Sequence, residues 1–183
     1  VRVPVQGTTG PVTVATPEPP EIHRISLYLG GRRLRDSTFW EPAETQGVFG
    51  VEYAQEHPDN WIGWEVGSLL GVGTGSVGPT DVTSSTGELY GGVRKTFGNP
   101  QGRWHPYIGG GLSLIRAGVE IGSLSEDASS AALYAHGGIL LDISEGMHLG
   151  LDLRGLFGSK IDLPSFVSSD ADYTQLALVL GWN

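Results

Sequence analysis

Met147-His148-Leu149-Gly150-Leu151-Asp152-Leu153-Arg154 decides the fold. Met147, Leu149, Leu151 and Leu153 occupy one parity, and His148, Gly150, Asp152 and Arg154 the other. Successive side chains of an extended strand point to opposite faces, so this octet is a strand with one oily face and one face of small or charged residues. The pattern repeats outward from it. Residues Leu176, Leu178, Leu180 and Trp182 oppose Gln175, Ala177, Val179 and Gly181, and Leu133, Ala135, Ile139, Leu141 and Ile143 oppose Tyr134, His136, Gly138 and Asp142. Ile62, Trp64, Val66 and Leu70 likewise oppose Gly63, Glu65, Gly67 and Leu69, while Ile25, Leu27 and Leu29 oppose Arg24, Ser26, Tyr28 and Gly30. Leu89 and Val93 stand against Glu88, Tyr90, Gly92 and Arg94. Beyond Glu21 no window sustains an i, i+3, i+4, i+7 apolar pattern, and the chain is read as all-β.

The alternation predicts eight strands, at about 22–32, 46–55, 61–72, 86–97, 103–116, 129–143, 147–158 and 171–182. Their connections alternate in length. Glu56 to Asn60, Gly98 to Gly102 and Ser144 to Gly146 are compact turns rich in Pro, Asn and Gly, whereas Arg33 to Thr45, Gly73 to Gly87, Ala117 to Ala128 and Ser159 to Ala171 read as long loops. An even number of long strands, three short periplasmic turns and four long extracellular loops describe an eight-stranded antiparallel up-and-down transmembrane β-barrel. Residues 22–183 form it, and 1–21, rich in Pro, Gly and Thr, are an N-terminal tail of unassigned role.

Composition bounds the function. The 183 residues include 29 Gly, only 17% are charged, and the formal charge is −9, which disfavours nucleic acid as a partner. The absence of Cys removes disulfides and thiolate chemistry but does not fix the compartment. No apolar run reaches the 18 or so residues of a membrane helix, and no signal-peptide pattern opens the chain, so such a segment is expected either to have been removed or never to have existed.

Alternation alone does not say whether the oily face meets lipid or a packed interior. Strand length and aromatic placement favour lipid. Tyr53, Trp64, Phe97, Trp104 and Trp182 share the apolar face near the short turns and form a candidate membrane girdle, with Phe157 the best member of a thin second one. An eight-stranded barrel is just wide enough for side chains to fill, so inward glycines make room for inward Tyr28, Tyr90, Tyr107 and Tyr134. The inward face also carries a charge network of Arg24, Glu52, Glu65, Glu88, Arg94, Asp142, Asp152 and Arg154 with His105, His136 and His148. These charges require pairing, for which Arg94 with Glu65 or Glu52 is the expected bridge, and a filled plug is expected rather than a wide pore.

Ile25 to Gly31, Pro106 to Leu112 and the apolar last strand ending Leu180-Gly181-Trp182-Asn183 resemble the small eight-stranded outer-membrane β-barrel family that includes the OmpA transmembrane domain, OmpX and the opacity-type surface proteins. The resemblance covers about residues 22–183. It implies a bacterial outer membrane, contact with outer-membrane lipid and lipopolysaccharide, and a terminal aromatic read by the insertion machinery. Trp182 matches that signal except that Asn183 follows it, as a tag, a truncation or a variant signal would leave it, and the Pro-rich start also departs from the family.

No motif carries catalysis. His105, His136 and His148 lack metal-ligand spacing, and packed or hydrogen-bonded histidines are the expected state, so neither a metal nor a cofactor is assigned. Gly111 to Ile115 fails the nucleophile-elbow pattern at its last position, and Gly71 to Gly78 lacks the lysine of a phosphate loop and reads as a flexible surface loop. His136 or His148 with Asp152 remain cross-strand pairs open to an enzymatic role, which is left open with a non-enzymatic one preferred. Arg33, Arg35, Phe39 and Trp40 in the first loop and Phe166 in the last are candidate contacts for a surface protein or glycan, although two aromatics could equally pack over the barrel mouth. The expected function is structural, adhesive or recognition-related, in a monomer. A narrow solute pore (porin), a lipid-modifying enzyme and a soluble barrel around an apolar ligand are the alternatives.

Overall fold

The computed structural model describes residues 21–57, 62–98, 102–121, 124–161 and 169–183, and within them the alternation becomes a closed barrel. Its strands are β1 (Ile22–Leu34), β2 (Thr45–Glu56), β3 (Gly63–Val77), β4 (Thr80–Thr96), β5 (Trp104–Ile121), β6 (Leu124–Ser144), β7 (Met147–Phe157) and β8 (Tyr173–Trp182). One helical turn, α1 (Ser37–Trp40), lies between β1 and β2. Every strand pairs antiparallel with its sequence neighbour, and β1 closes the ring on β8 from Ile25 opposite Trp182 to Leu34 opposite Tyr173. Over the span that all eight strands share, closure leaves no sheet edge, so the ladder hydrogen bonds are satisfied around the circumference.

Parity assigns the faces as the sequence predicts. On β7, Leu149, Leu151 and Leu153 are exposed while His148, Asp152 and Arg154 are buried. On β8, Leu176 and Leu178 are exposed against buried Gln175, Ala177 and Val179. Leu29, Phe49, Leu70, Leu89, Leu112, Leu114 and Leu133 continue the exposed set on β1 to β6, so an apolar belt encircles the barrel. A soluble monomer exposes apolar patches of about 300–600 Å² and keeps its charges outside. Here leucines face out and arginines face in, the reverse of a soluble barrel that encloses an apolar ligand.

Strand length departs from expectation at the far end, opposite the short turns. Within the stretches expected as long loops, Gly73 to Val77, Thr80 to Gly87, Ala117 to Ile121 and Leu124 to Ala128 are paired strand. β3 and β4 meet across only Gly78 and Pro79, with Gly78 at φ +62°, and β5 and β6 stay in register to Ile121 opposite Leu124. These extensions carry Ser, Thr, Asp and Glu on their outward face, which lies beyond the apolar belt, while Val82, Ala117 and Val119 turn inward; with the outward apolar row gone, the alternation that marks the other strands is lost. The other four strands stop lower. Glu88 of β4 meets Arg154 of β7 and Tyr173 of β8, yet β4 reaches on to Thr80 while β7 ends at Phe157 and β8 begins at Tyr173. The barrel therefore has a tall wall, β3 to β6, and a low one.

The low side is closed by the segment between β1 and β2. It folds against the inner face of the wall, where Gly71, Gly73 and Gly75 replace the expected surface loop with a trough. A Cβ on Gly73 would meet Thr45 O at 2.5 Å and Ala43 O at 2.7 Å, and one on Gly75 would meet Pro42 at 2.5 Å. Alternate glycines thus admit a second layer of backbone inside the barrel mouth. Of the expected tail, 1–21, only Glu21 is among the described residues, and residues 58–61, 99–101, 122–123 and 162–168 of the expected strands, turns and loops lie outside them.

Candidate functional site

The inward face builds three linked polar layers. Nearest the short turns, Glu52 accepts hydrogen bonds from Arg94 NH1 (2.6 Å), Tyr28 OH (2.9 Å) and Tyr90 OH (2.9 Å). Arg94 thus pairs with Glu52, the farther of its two candidate partners. Below it, Arg24 donates to Asn183 Oδ1 (3.1 Å) and to Glu56 Oε1 (3.4 Å).

The middle layer is a carboxylate–imidazole–carboxylate row. His136 Nδ1 lies 2.9 Å from Asp152 Oδ2 and Nε2 lies 2.9 Å from Glu65 Oε1, with Tyr134 donating to Glu65 (2.7 Å) and Tyr107 to Asp152 (2.7 Å). An ionised carboxylate only accepts, so both ring nitrogens donate and the ring is an imidazolium. The upper layer centres on Glu88, which accepts from Arg154 (2.6 Å) and Tyr173 (2.5 Å) and faces Arg32 at 3.8 Å. Arg154 sits between the rings of Tyr90 (3.9 Å) and Tyr134 (4.0 Å), while Arg94 covers Tyr107 at 3.8 Å and Arg32 covers Tyr173 at 4.0 Å. These stacks tie the layers together.

Charge closes over this set. Arg24, Arg32, Arg94, Arg154 and the His136 imidazolium face Glu52, Glu56, Glu65, Glu88 and Asp152, five against five. Sequence reasoning placed Arg24, Arg94, Arg154 and Gln175 on the inward face and missed Arg32 and Glu56. Parity could have found Arg32, which shares the even numbers of Arg24 and Tyr28 on β1. His105 and Asp142, also foreseen, form a half-exposed pair at the short-turn mouth (2.9 Å). His148 is buried, but its ring nitrogens form no hydrogen bond among the described residues, so of the two histidines considered for Asp152 only His136 reaches it.

Asp152 Oδ1, Arg94 NH2 and both His148 nitrogens are buried without a hydrogen-bond partner among the described residues, yet the central ligand atoms are occupied. The ligand atoms of Glu52, Glu65 and His136 lie within 4.8 Å of one another, as a metal site would need. Each is already engaged: Glu52 with Arg94 and two tyrosines, Glu65 with Tyr134 and His136. Both His136 nitrogens are committed, which leaves it neither a lone pair for a metal nor a base for a nucleophile.

Trp64, Phe97, Trp104 and Trp182 are exposed near the short-turn ends, and Tyr53 packs on Trp64 with ring centroids 5.3 Å apart. At the far end, the loop candidates divide. Arg33 is exposed beside Glu44 (3.8 Å), and Arg35 lies over the Phe157 ring at 5.0 Å. Trp40 is 1% exposed, donates Nε1–H to Asp170 O (2.9 Å) and packs edge-on against Phe39, 4.9 Å between ring centroids. It is a stopper in the mouth and is removed from the contact residues. Phe166 lies outside the described residues. On the wall, the hydrogen bond from Arg116 holds Asp127 below the usual carboxylate range.

No family model matches the chain, and no curated protein matches it. Solved structures do. Neisserial surface protein A aligns with a TM-score of 0.65 at 15% identity, covering 90% of this chain and 99% of that one. Ail, the attachment invasion locus protein of Yersinia pestis, in complex with the heparin analogue sucrose octasulfate, gives 0.60 at 16%, covering 88% and 97%. The N-terminal β-barrel domain of Pseudomonas aeruginosa OprF gives 0.50 at 14%, covering 87% and 96%. What is shared at such identity is the fold, that of small eight-stranded outer-membrane barrels.

Proposed function

We propose that the chain spans a bacterial outer membrane as a sealed barrel, with its short turns periplasmic, and that its tall wall and mouth loops form a surface for recognition or adhesion. One observation carries this reading: a belt of exposed Leu, Ile, Val and Phe on all eight strands surrounds an interior of paired charges. In water each exposed large apolar side chain forgoes roughly 1.5–3 kcal/mol of burial, whereas hydrocarbon removes that cost around the whole ring. The aromatic set near the short turns supports the lower interface.

The outer end argues for the kind of partner. Among the described residues it carries Asp36, Glu41, Glu44, Asp81, Glu120, Glu126, Asp127, Asp170 and Asp172 against Arg33, Arg35, Arg116 and Lys160. That excess of acid opposes a polysulfated ligand such as the one bound to Ail and favours the basic surface of a protein. Two measurements test the proposal. The purified chain should need detergent to stay monodisperse and should migrate differently on a gel before and after boiling. Cells displaying it should adhere to a lysine-rich protein coat and not to heparin. Solubility without detergent overturns the membrane reading, and retention on heparin overturns the partner.

A further inference from the structure

The outward face of the wall carries a groove in two continuous parts. The lower part, about 350 Å³, lies among Leu70, Leu89 and Leu114 over Gly87. The upper part, about 540 Å³, is bordered by Ser85, Gly118, Glu120 and Asp127. Leu70, Gly87 and Arg116 line both. The three stand in one row, Leu70 beside Gly87 and Gly87 beside Arg116, at the upper margin of the apolar belt. The missing side chain makes the cleft, since a Cβ at Gly87 would find only Leu70 Cδ2, at 3.8 Å.

Its chemistry changes along the barrel axis: leucine below, a guanidinium at the junction, hydroxyls and carboxylates above. That is the profile of a single amphipathic molecule standing with its tail in the belt. Charge narrows its head. Arg116 turns Nε and NH2 toward Asp127 Oδ2, both at 2.7 Å, which leaves NH1 for an anion. Glu120 and Asp127 together outweigh that one cation, so a purely anionic head is repelled, and one that brings its own cation is matched on both sides.

We propose that this groove holds a phospholipid with a primary-amine headgroup. An acyl chain lies over Gly87 between Leu70 and Leu114, the phosphate meets Arg116, and the ammonium turns to Glu120 and Asp127. The proposal rests on the membrane reading above and would fail separately from it. A lipid with a glycerol headgroup carries the same phosphate without the cation and serves as the control.

The test reconstitutes the full chain in nanodiscs of equal phosphatidylethanolamine and phosphatidylglycerol, extracts it in mild detergent, and quantifies the lipid retained by mass spectrometry. Severalfold enrichment of phosphatidylethanolamine is expected. Gly87→Leu, which the open space accommodates, should remove the retained lipid, and Glu120→Gln, at an exposed position, should bring the two lipids toward equal retention. Equal retention by the unaltered protein, or unchanged enrichment in Glu120→Gln, overturns the headgroup assignment. Unchanged retained lipid in a folded Gly87→Leu overturns the groove itself. A chain that never enters the nanodisc instead refutes the membrane reading.

Discussion

His136 is the residue on which the lumen turns. Among the described residues it is the only cation in direct contact with both Glu65 and Asp152, and all three side chains are fully buried. Removing one partner from a buried ionic set leaves the others desolvated and uncompensated, which costs about 3–5 kcal/mol. His136→Leu is therefore expected to lower barrel stability by about that amount, read as a fall in the urea midpoint of the boiling-sensitive gel band. The size of the loss separates charge pairing from simple packing. If it falls to the level of an ordinary hydrophobic swap, under about 1.5 kcal/mol, the ring is not charge-paired as drawn. His148 provides the contrast: equally buried but without hydrogen-bond partners among the described residues, its replacement by Leu should cost far less.

At the scale of elements, β3 shows how one strand serves two ends of the barrel. Its lower part, Trp64 to Gly67, alternates apolar-out and small-or-charged-in, whereas its upper half carries inward Gly71, Gly73 and Gly75 as a bed for residues 42–46. Gly73→Val is expected to unseat that segment, because a branched Cβ would overlap the carbonyls of Thr45 and Ala43. Trypsin should then cut after Arg33 or Arg35 several times faster while the boiling-sensitive band persists, and Gly87→Val, facing open space, should leave cleavage unchanged. Equal protection in both variants would show that the segment is held by Trp40 alone. The same strand marks where the sequence was legible. Parity sorted inside from outside wherever lipid-facing residues are large and lumen-facing ones small, as on β7 and β8. It lapsed beyond the belt, where the outward face turns polar and Ser-Thr-Gly strands look like loops. Trp40 was ambiguous for a different reason: whether a loop aromatic faces out or folds into the mouth depends on contacts with Asp170, 130 residues away.

For the whole molecule, the decisive property is that eight strands leave an interior that side chains can fill. The arginines here stack on tyrosines from other strands, and each layer's carboxylates take donors from across the barrel, so the plug is cross-braced rather than lining a wall. Trp40, Leu34, Ile161 and Ala171, all buried, add an apolar stopper above the upper layer. An ion crossing this interior would have to part Arg154 from Glu88 and Arg94 from Glu52 in turn, while those pairs gain little from the water it could bring. The intact protein in a planar bilayer is therefore expected to give no unitary conductance above the lipid background. The double variant Arg94→Ala, Arg154→Ala, which empties the two largest braces, should give brief openings if it still folds. Steady channels from the intact chain would mean that the layers part readily, and solute passage would then displace recognition as the barrel's work.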